Sequence, residues 1–333
     1  MQRIVPPEWG PHRAMWLGFP SHAELWLEDL APAQAEVAAL ARALAGPGAE
    51  RVRLLVRGDD AQAAAERLLS DTTVEIVRGE FGDIWLRDTG PIFVHDKGSP
   101  AAVSFRFNGW GGKYDLEGDD AVAGQIASAA GVPLIANDFI LEGGAIEHDG
   151  LGTVLTTRQC LLNDNRNKGW TEADAERALG LSLGARTVLW LDRGLRCDHT
   201  DGHIDNLARF VAPGVVVCPL GFGMDDPNTD NYAAAAKALS GMTDARGSAL
   251  QVVRIPSPGR LIDADGEVLP ASHMNFIIAN GAVIVPQYGT AAGDFAVEAL
   301  QSLFPERQVI GLPSTAILTG GGSFHCITQQ EPV

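Results

Sequence analysis

Between residues 83 and 313 one pattern recurs four times: a hairpin-like pair of extended segments, a helix, and a further extended segment. The first unit runs from DIWLRDTGPIFV through AAVSFRFN, the helical DDAVAGQIASAAG and VPLIAND. The second has LEGGAIEHDGLGTVLTT, TEADAERALG and TVLWLD; the third has HIDNLARFVAPGVVVCPL, TDNYAAAAKALSG and LQVVRIP. The fourth has HMNFIIANGAVIVPQ, in which Asn280-Gly281 predicts a two-residue hairpin turn, then GDFAVEALQSLFP and RQVIGLP. Repeats of roughly 50 to 60 residues cannot each bury an apolar face alone, so they are expected to pack around a common axis. The two ends of the chain are expected to supply a fifth unit. If AILTGGGSFHCITQ pairs with RAMWLGF, the ring closes and leaves no free sheet edge. Ahead of the repeats, APAQAEVAALARALAG predicts a helix stopped at Gly46, followed by the strand RVRLLV, the helix DDAQAAAERLLSD and the strand TVEIVRG. The rival organisation is two domains divided near residue 170.

At 333 residues the chain is long enough for a large core, and 46% hydrophobic against 20% charged residues is the balance of a globular protein. The formal net charge of -17 argues against a nucleic-acid partner, which needs clustered Lys and Arg, and favours a cationic one. No basic-then-apolar leader and no apolar run of about 18 residues is evident, so a cytoplasmic protein with no membrane partner is expected. Cys160, Cys197, Cys218 and Cys326 form no C-x-x-C pair, so neither a zinc ribbon nor a disulfide framework is expected.

Polar residues gather where the repeats begin. Trp85, Arg87 and Asp88 open the first unit, Glu142 with Gly143-Gly144 the second, His203 and Asp205 the third, and His325-Cys326 belongs to the closing segment. Equivalent positions of a ring converge on its axis, which would bring these residues into one pocket. Cys326 follows GGGSF, and glycines allow backbone and ligand to approach a thiol closely; Cys160, Cys197 and Cys218 are expected to be packing residues. In DHTDGHID, His199 and His203 have metal-ligand spacing on a helix, but Gly202 argues against that helix. Alternation at His203, Asp205 and Leu207 predicts a strand instead. WLRDTGP also reads as a strand ending in a turn with a surface Arg87-Asp88 pair, and LEGGA as a glycine bulge.

Carboxylates accept paired hydrogen bonds from planar N–H forks, so Asp88 and Asp205 are suited to grip a guanidinium while Glu142 orients His203. A bound cation would favour thiolate at Cys326, which attacks the central carbon, and His203 would protonate departing ammonia and then activate water.

The stretches PPEWGPHRAMWLGFP, DIWLRDTGP, LEGGAIEHDGLGTVLTT, TDGHIDNLARFV and GGGSFHCITQQEP, spread in order over the whole chain, resemble the agmatine deiminases. These belong to the guanidino-modifying pentein superfamily, which also holds bacterial peptidylarginine deiminases. The resemblance implies an α/β fold, a five-bladed propeller of ββαβ units with pseudo-fivefold symmetry, in a single catalytic domain covering 1–333. It implies hydrolysis of agmatine to N-carbamoylputrescine and ammonia, on the way to putrescine, with no cofactor and no metal. Carried over motif by motif, Cys326 is the nucleophile, His203 the acid/base, Glu142 its partner, Asp88 and Asp205 the clamps, and Trp85 a wall of the pocket. The chain departs from the pattern at Ser323-Phe324, where Asn-Ile is expected, and at Lys168, where proline is expected. Both changes are expected near the pocket, bearing on the substrate's tail, for which Asp225 or Asp226 would be acidic partners. Other readings stay open: a deiminase of free or peptidyl arginine, a metal-dependent amidohydrolase using His199, Asp201 and His203, and a guanidine-binding propeller without turnover. A homo-oligomer also stays open.

Overall fold

The computed structural model describes residues 3–333. Near the N-terminus β1 (His12–Gly18), β2 (Val52–Val56) and β3 (Glu75–Arg78) lie parallel to one another. The helices Leu30–Ala45 and Asp59–Leu69 make the two crossovers, the first ending at Gly46 as expected. Four three-stranded sheets follow. They are β4 (Ile92–Asp96), β5 (Ser99–Arg106) and β6 (Leu134–Ile140); then β7 (Ile146–His148), β8 (Thr153–Thr157) and β9 (Thr187–Leu191). Next come β10 (Arg209–Ala212), β11 (Val215–Leu220) and β12 (Gln251–Pro256), then β13 (Ile277–Ile278), β14 (Ala282–Gln287) and β15 (Gln308–Pro313). In each, the first pair is antiparallel and the second parallel. A parallel pair needs a crossover, supplied by the helices Val122–Ala130, Glu172–Leu183, Thr229–Leu239 and Ala292–Leu303. In the second of these units Thr171 and Asp174 form a reciprocal capping box at the start of helix Glu172–Leu183. Residue 170, proposed above as a domain divide, falls inside that crossover.

The last strand, β16 (Thr328–Pro332), pairs antiparallel with β1, from Leu17 opposite Thr328 to His12 opposite Pro332. The ends of the chain therefore share one sheet, and five sheets make the α/β propeller. Only the last part of the segment expected to pair with β1 does so. Thr315–Leu318 is a helical turn, and the glycines after it are kept out of the sheet by their role at the site. No helix among the described residues is long and apolar enough to cross a membrane.

Immediately before the first strand of every sheet the backbone makes one tight turn. These are the helical turns Leu86–Thr89, Gly143–Ala145, Ile204–Asn206 and His273–Asn275, and the turn at residues 324–327. The first four pack in succession. The fifth closes the circle, because Arg87 N donates to Cys326 O at 3.0 Å and His325 N donates to Asn275 O at 3.1 Å. Fivefold repetition thus places five short turns around one axis, each able to present a side chain to the centre.

Two strand expectations give way to these turns. The segment around His203 is a 3₁₀ turn, because its apolar residues Ile204, Leu207 and Ala208, all fully buried, follow i, i+3, i+4 spacing and not alternation. WLRDT is likewise one helical turn, with Asp88 N and Thr89 N donating to Trp85 O.

Candidate active site

Glycine 144 shows how closely the turns converge. A Cβ at this position would lie 2.6 Å from His203 Nδ1, 2.9 Å from Asp88 Oδ1 and 3.2 Å from Asp205 Oδ2. Three side chains from the turns that open two other sheets therefore surround one Cα, and its N–H donates to Asp88 Oδ1 at 2.9 Å. Gly144→Ala is expected to force this group apart and lower kcat/KM at least about 10²-fold, the scale set by misplacing catalytic groups by about 1 Å. Steady-state kinetics check it; near-normal turnover would contradict the convergence.

Asp88 is held from both sides. Its Oδ2 accepts the Trp110 indole N–H at 2.9 Å, and His203 Nδ1 stands 3.7 Å from Oδ1. Trp110 reaches it because Gly109-Trp110-Gly111-Gly112 all have left-handed φ, a run that three glycines make accessible while the tryptophan carries the strain. The side chain of Asn108 accepts from Gly111 N and fixes the turn.

Cys326 Sγ lies 3.7 Å from Asp205 Oδ2 and accepts from Asn275 Nδ2 at 3.2 Å, while Cys326 N donates to Asn275 Oδ1 at 3.1 Å. His325, its sequence neighbour, faces the other way. Its Nδ1 binds Asp205 Oδ2 at 2.8 Å and its Nε2 binds Glu8 Oε2 at 3.1 Å, within a buried network that continues to Arg209 and Glu147. His325 thus holds one Asp205 oxygen, and the other, Oδ1, is buried without a hydrogen-bond partner among the described residues. Neither imidazole nitrogen of His203 has a nitrogen or oxygen partner either. Buried polar groups left unpaired are rare enough to call for a ligand as explanation.

The electrostatics follow from burial and charge. Burial pushes the Cys326 thiol well above its ordinary range, and the carboxylates of Asp205 and Asp88 push it further. Burial also raises the Asp88 carboxyl. Burial acts against a charged His203, but Asp88, then Cys160 and Glu142, overcome it and hold the imidazolium well above the usual histidine range. For Asp205 burial is again opposed, here by His325 first, and its carboxyl stays below the usual range.

These groups open into a cavity of about 240 Å³ lined by Trp85, Asp88, Trp110, Tyr114, His199 and Cys326 together with Gly320, Gly321 and Gly322. The three glycines now have a steric reason. A Cβ on Gly322 would meet the Trp85 ring at 2.5 Å, one on Gly320 would meet it at 2.8 Å, and Gly321 has φ +100°. Trp85 stacks on Trp26, and both indoles donate to Asp83.

Other expectations need correcting. Glu142 makes no hydrogen bond to His203; its Oε1 takes Arg166 Nε at 2.6 Å. Arg87 is buried, not a surface partner of Asp88, and donates to His325 O and Gln330 Oε1. Asp201 is bound by Lys113, Asn165 and Arg166, and it forms no metal-ligand grouping with His199 and His203. Ser323 and Phe324 do not line the cavity: the Ser323 hydroxyl pairs with Ser314 at 2.7 Å, and Phe324 is fully buried in the core. Lys168 is an exposed loop residue, and Asp226 is a buried turn residue bound by Ser257, Phe222 N and Asn228 N, while Asp225 is exposed; none of these lines the cavity. Sequence reasoning missed Asn275, Arg166, Trp110 and Glu8; Cys160 is fully buried in the core, as expected, where it lies beside His203.

Comparison with known proteins agrees with this geometry. Residues 4–332 match the model of the Porphyromonas-type peptidyl-arginine deiminases. The chain belongs to that family. It is 38% identical to the agmatine deiminase of Stutzerimonas stutzeri (strain A1501), covering 98% of this chain and 95% of that one. Among solved structures, the agmatine deiminase of Enterococcus faecalis superposes with a TM-score of 0.93 at 32% identity, over 99% of this chain and 96% of the other. An amidinotransferase from Microseira wollei, at 12% identity and a TM-score of 0.56 over 98% of this chain and 96% of the other, shares the pentein fold alone.

Proposed function

We propose that the protein is an agmatine deiminase, a hydrolase of linear amidines that converts agmatine and water to N-carbamoylputrescine and ammonia. The observation that carries the reading is the gathering of an imidazole and two carboxylates around Gly144, with the Cys326 thiol against one of those carboxylates and lining the cavity, in a family whose relatives include agmatine deiminases.

The guanidinium lies between Asp88 and Asp205, whose unpaired Oδ1 takes one of its N–H groups. The cation offsets the two negative charges that raise the Cys326 thiol, so thiolate forms when substrate is present and is suppressed when it is not. Sγ adds to the guanidinium carbon. His203, held as imidazolium, gives its proton to the departing nitrogen; the C–N bond breaks and ammonia leaves a thiouronium on Cys326. The neutral His203 then removes a proton from water and the oxygen bonds to the same carbon; the C–S bond breaks to restore the thiolate, and the remaining hydroxyl proton passes to solvent, where the released ammonia takes it up, leaving the neutral ureido product. Asn275 Nδ2 steadies the sulfur, and Glu142, fixed by Arg166, adds the negative charge that keeps His203 basic. Trp85 forms a wall for the substrate. The proposal treats 1–333 as one catalytic domain of a cytoplasmic enzyme on the route to putrescine, with neither nucleic acid nor membrane as partner.

Ammonia release measured across agmatine, free arginine and peptidyl arginine tests it. Agmatine is expected to exceed both arginines at least about 10²-fold in kcat/KM, a difference of about 3 kcal/mol in transition-state binding. Citrulline formation with agmatine inert would overturn the choice of substrate.

The raised thiol gives a second test. Iodoacetamide, which is neutral, is expected to alkylate Cys326 slowly at pH 7 and faster only above the ordinary thiol pKa of about 8.5. A flat cationic reagent such as chloroacetamidine is expected to react at least about 10²-fold faster at pH 7, since each unit by which it lowers the pKa raises the thiolate fraction about tenfold. Equal rates for both reagents would contradict the electrostatic account.

A further inference from the structure

We propose that Glu142, Cys160 and His203 form a soft-metal site whose filling by Zn²⁺ turns the enzyme off by taking His203 out of the reaction. The metal is an inhibitor in this account, not a cofactor.

Cys160 makes or breaks no bond in the reaction above, yet the fold brings this thiol against its acid/base histidine. Cys160 sits on the helical turn Arg158–Leu161 that follows β8, and its N–H is fixed by Thr157 Oγ1 at 3.2 Å. One ligand atom from each of Glu142, Cys160 and His203 lies within 4.8 Å of the other two, the only such grouping among the described residues, and all three residues are buried. Glu142 Oε2 and both His203 nitrogens carry no nitrogen or oxygen hydrogen-bond partner. These buried polar atoms without a hydrogen-bond partner are a second, independent sign of a ligand at this place.

The donor set selects the ion. A thiolate, an imidazole and a carboxylate match zinc, whose bonds of about 2.0–2.3 Å in a tetrahedron put neighbouring ligand atoms about 3.5 Å apart, so the three need close in by only roughly 1 Å. Magnesium and calcium prefer all-oxygen shells and leave the thiol unused. Thiolate and carboxylate together neutralise the divalent charge. Arg166, bound to Glu142 Oε1 at 2.6 Å and itself held by Thr200 O and Asp201, fixes the carboxylate from behind, as outer-shell partners of metal ligands do. The ion has an approach through the substrate cavity, since Asp88 lines that cavity and stands 3.7 Å from His203 Nδ1. Cys326 belongs to a different set of contacts, with Asp205 and Asn275.

Inhibition rests on the assignment of His203 as acid/base; metal binding does not. The test therefore reads binding first, on the full chain, with Co²⁺ as a spectroscopic probe and Zn²⁺ in competition with a chelating dye. One equivalent of Co²⁺ is expected to give a thiolate-to-cobalt charge-transfer band in the wild type and in Cys326→Ala, but not in Cys160→Ser or Cys160→Val. Zn²⁺ affinity is expected to fall at least about 10²-fold in both Cys160 variants, whose folding is checked by circular dichroism. Micromolar Zn²⁺ is expected to stop ammonia release by the wild type and a chelator to restore it, whereas Zn²⁺ leaves unaltered whatever rate Cys160→Ser retains. No band in the wild type, or a band lost in Cys326→Ala and kept in Cys160→Ser, overturns the site. A band with the expected dependence on Cys160 in a protein that releases no ammonia from any guanidine supports the site and removes the deiminase reading.

Discussion

Cys326→Ala is expected to reduce ammonia release from agmatine by at least about 10⁴-fold, because the proposed reaction has no other nucleophile for the guanidinium carbon. The loss is expected in kcat, with agmatine still bound between Asp88 and Asp205. Binding is expected to tighten, if anything, since removing the thiol leaves both carboxylates facing the cation with no proton to displace from sulfur. The fold is expected to persist. Alanine keeps the Cβ and the backbone N–H that donates to Asn275 Oδ1, and Asn275 Nδ2 keeps its bond to Asn206 Oδ1 at 2.9 Å. Turnover within tenfold of the wild type, with the variant verified by its mass, would remove covalent catalysis from the account.

His203→Ala is the next largest expected loss, about 10²–10⁴-fold, the range for a positioned acid/base. The pH dependence carries the sharper signature. Asp88, Cys160 and Glu142 hold the His203 pKa above its unfolded value despite burial, so the acid is present below that raised pKa and lost as pH climbs through it. The wild-type kcat/KM is therefore expected to fall on the alkaline side through His203. In His203→Ala that limb is expected to disappear, leaving a rate that rises with thiolate formation at Cys326. The same shift contributes stability that is full below the unfolded histidine pKa of about 6.5 and drains away as pH rises through the folded value. An alkaline limb unchanged in the variant would assign the acid to another group.

Much of this site was legible because repetition turns distant sequence positions into neighbours. Asp88, Glu142, His203, Asp205 and Cys326 each stand on the turn that opens a sheet, or next to it, and only a ring brings those turns together. The same logic pointed at the turn before β13. Asn275 occupies it, but an uncharged amide inside HMNFII carries no chemical flag of its own, and its worth lies in two hydrogen bonds to Cys326 that only the closed ring creates. Trp110 was hidden for another reason: GWGG reads as a loose turn, and its sense emerges from four left-handed residues aiming an indole at Asp88. Cys160 is the core residue its apolar surroundings in sequence suggest, but its neighbour His203 comes from the next repeat, so no local pattern reveals their contact. The departures at Ser323 and Phe324 were placed at the pocket by adjacency to Cys326. The tight turn sends those side chains into the core and gives the pocket Gly320, Gly321 and Gly322 instead.

The central claim is a covalent bond between Cys326 and the guanidine carbon of agmatine. Rapid acid quenching of the wild-type enzyme during turnover, followed by mass analysis of the peptide containing Cys326, measures it directly. The account predicts an increment on Cys326 equal to agmatine less ammonia, absent in Cys326→Ala and absent when agmatine is omitted. Steady ammonia release with Cys326 unmodified at every quench time would contradict it.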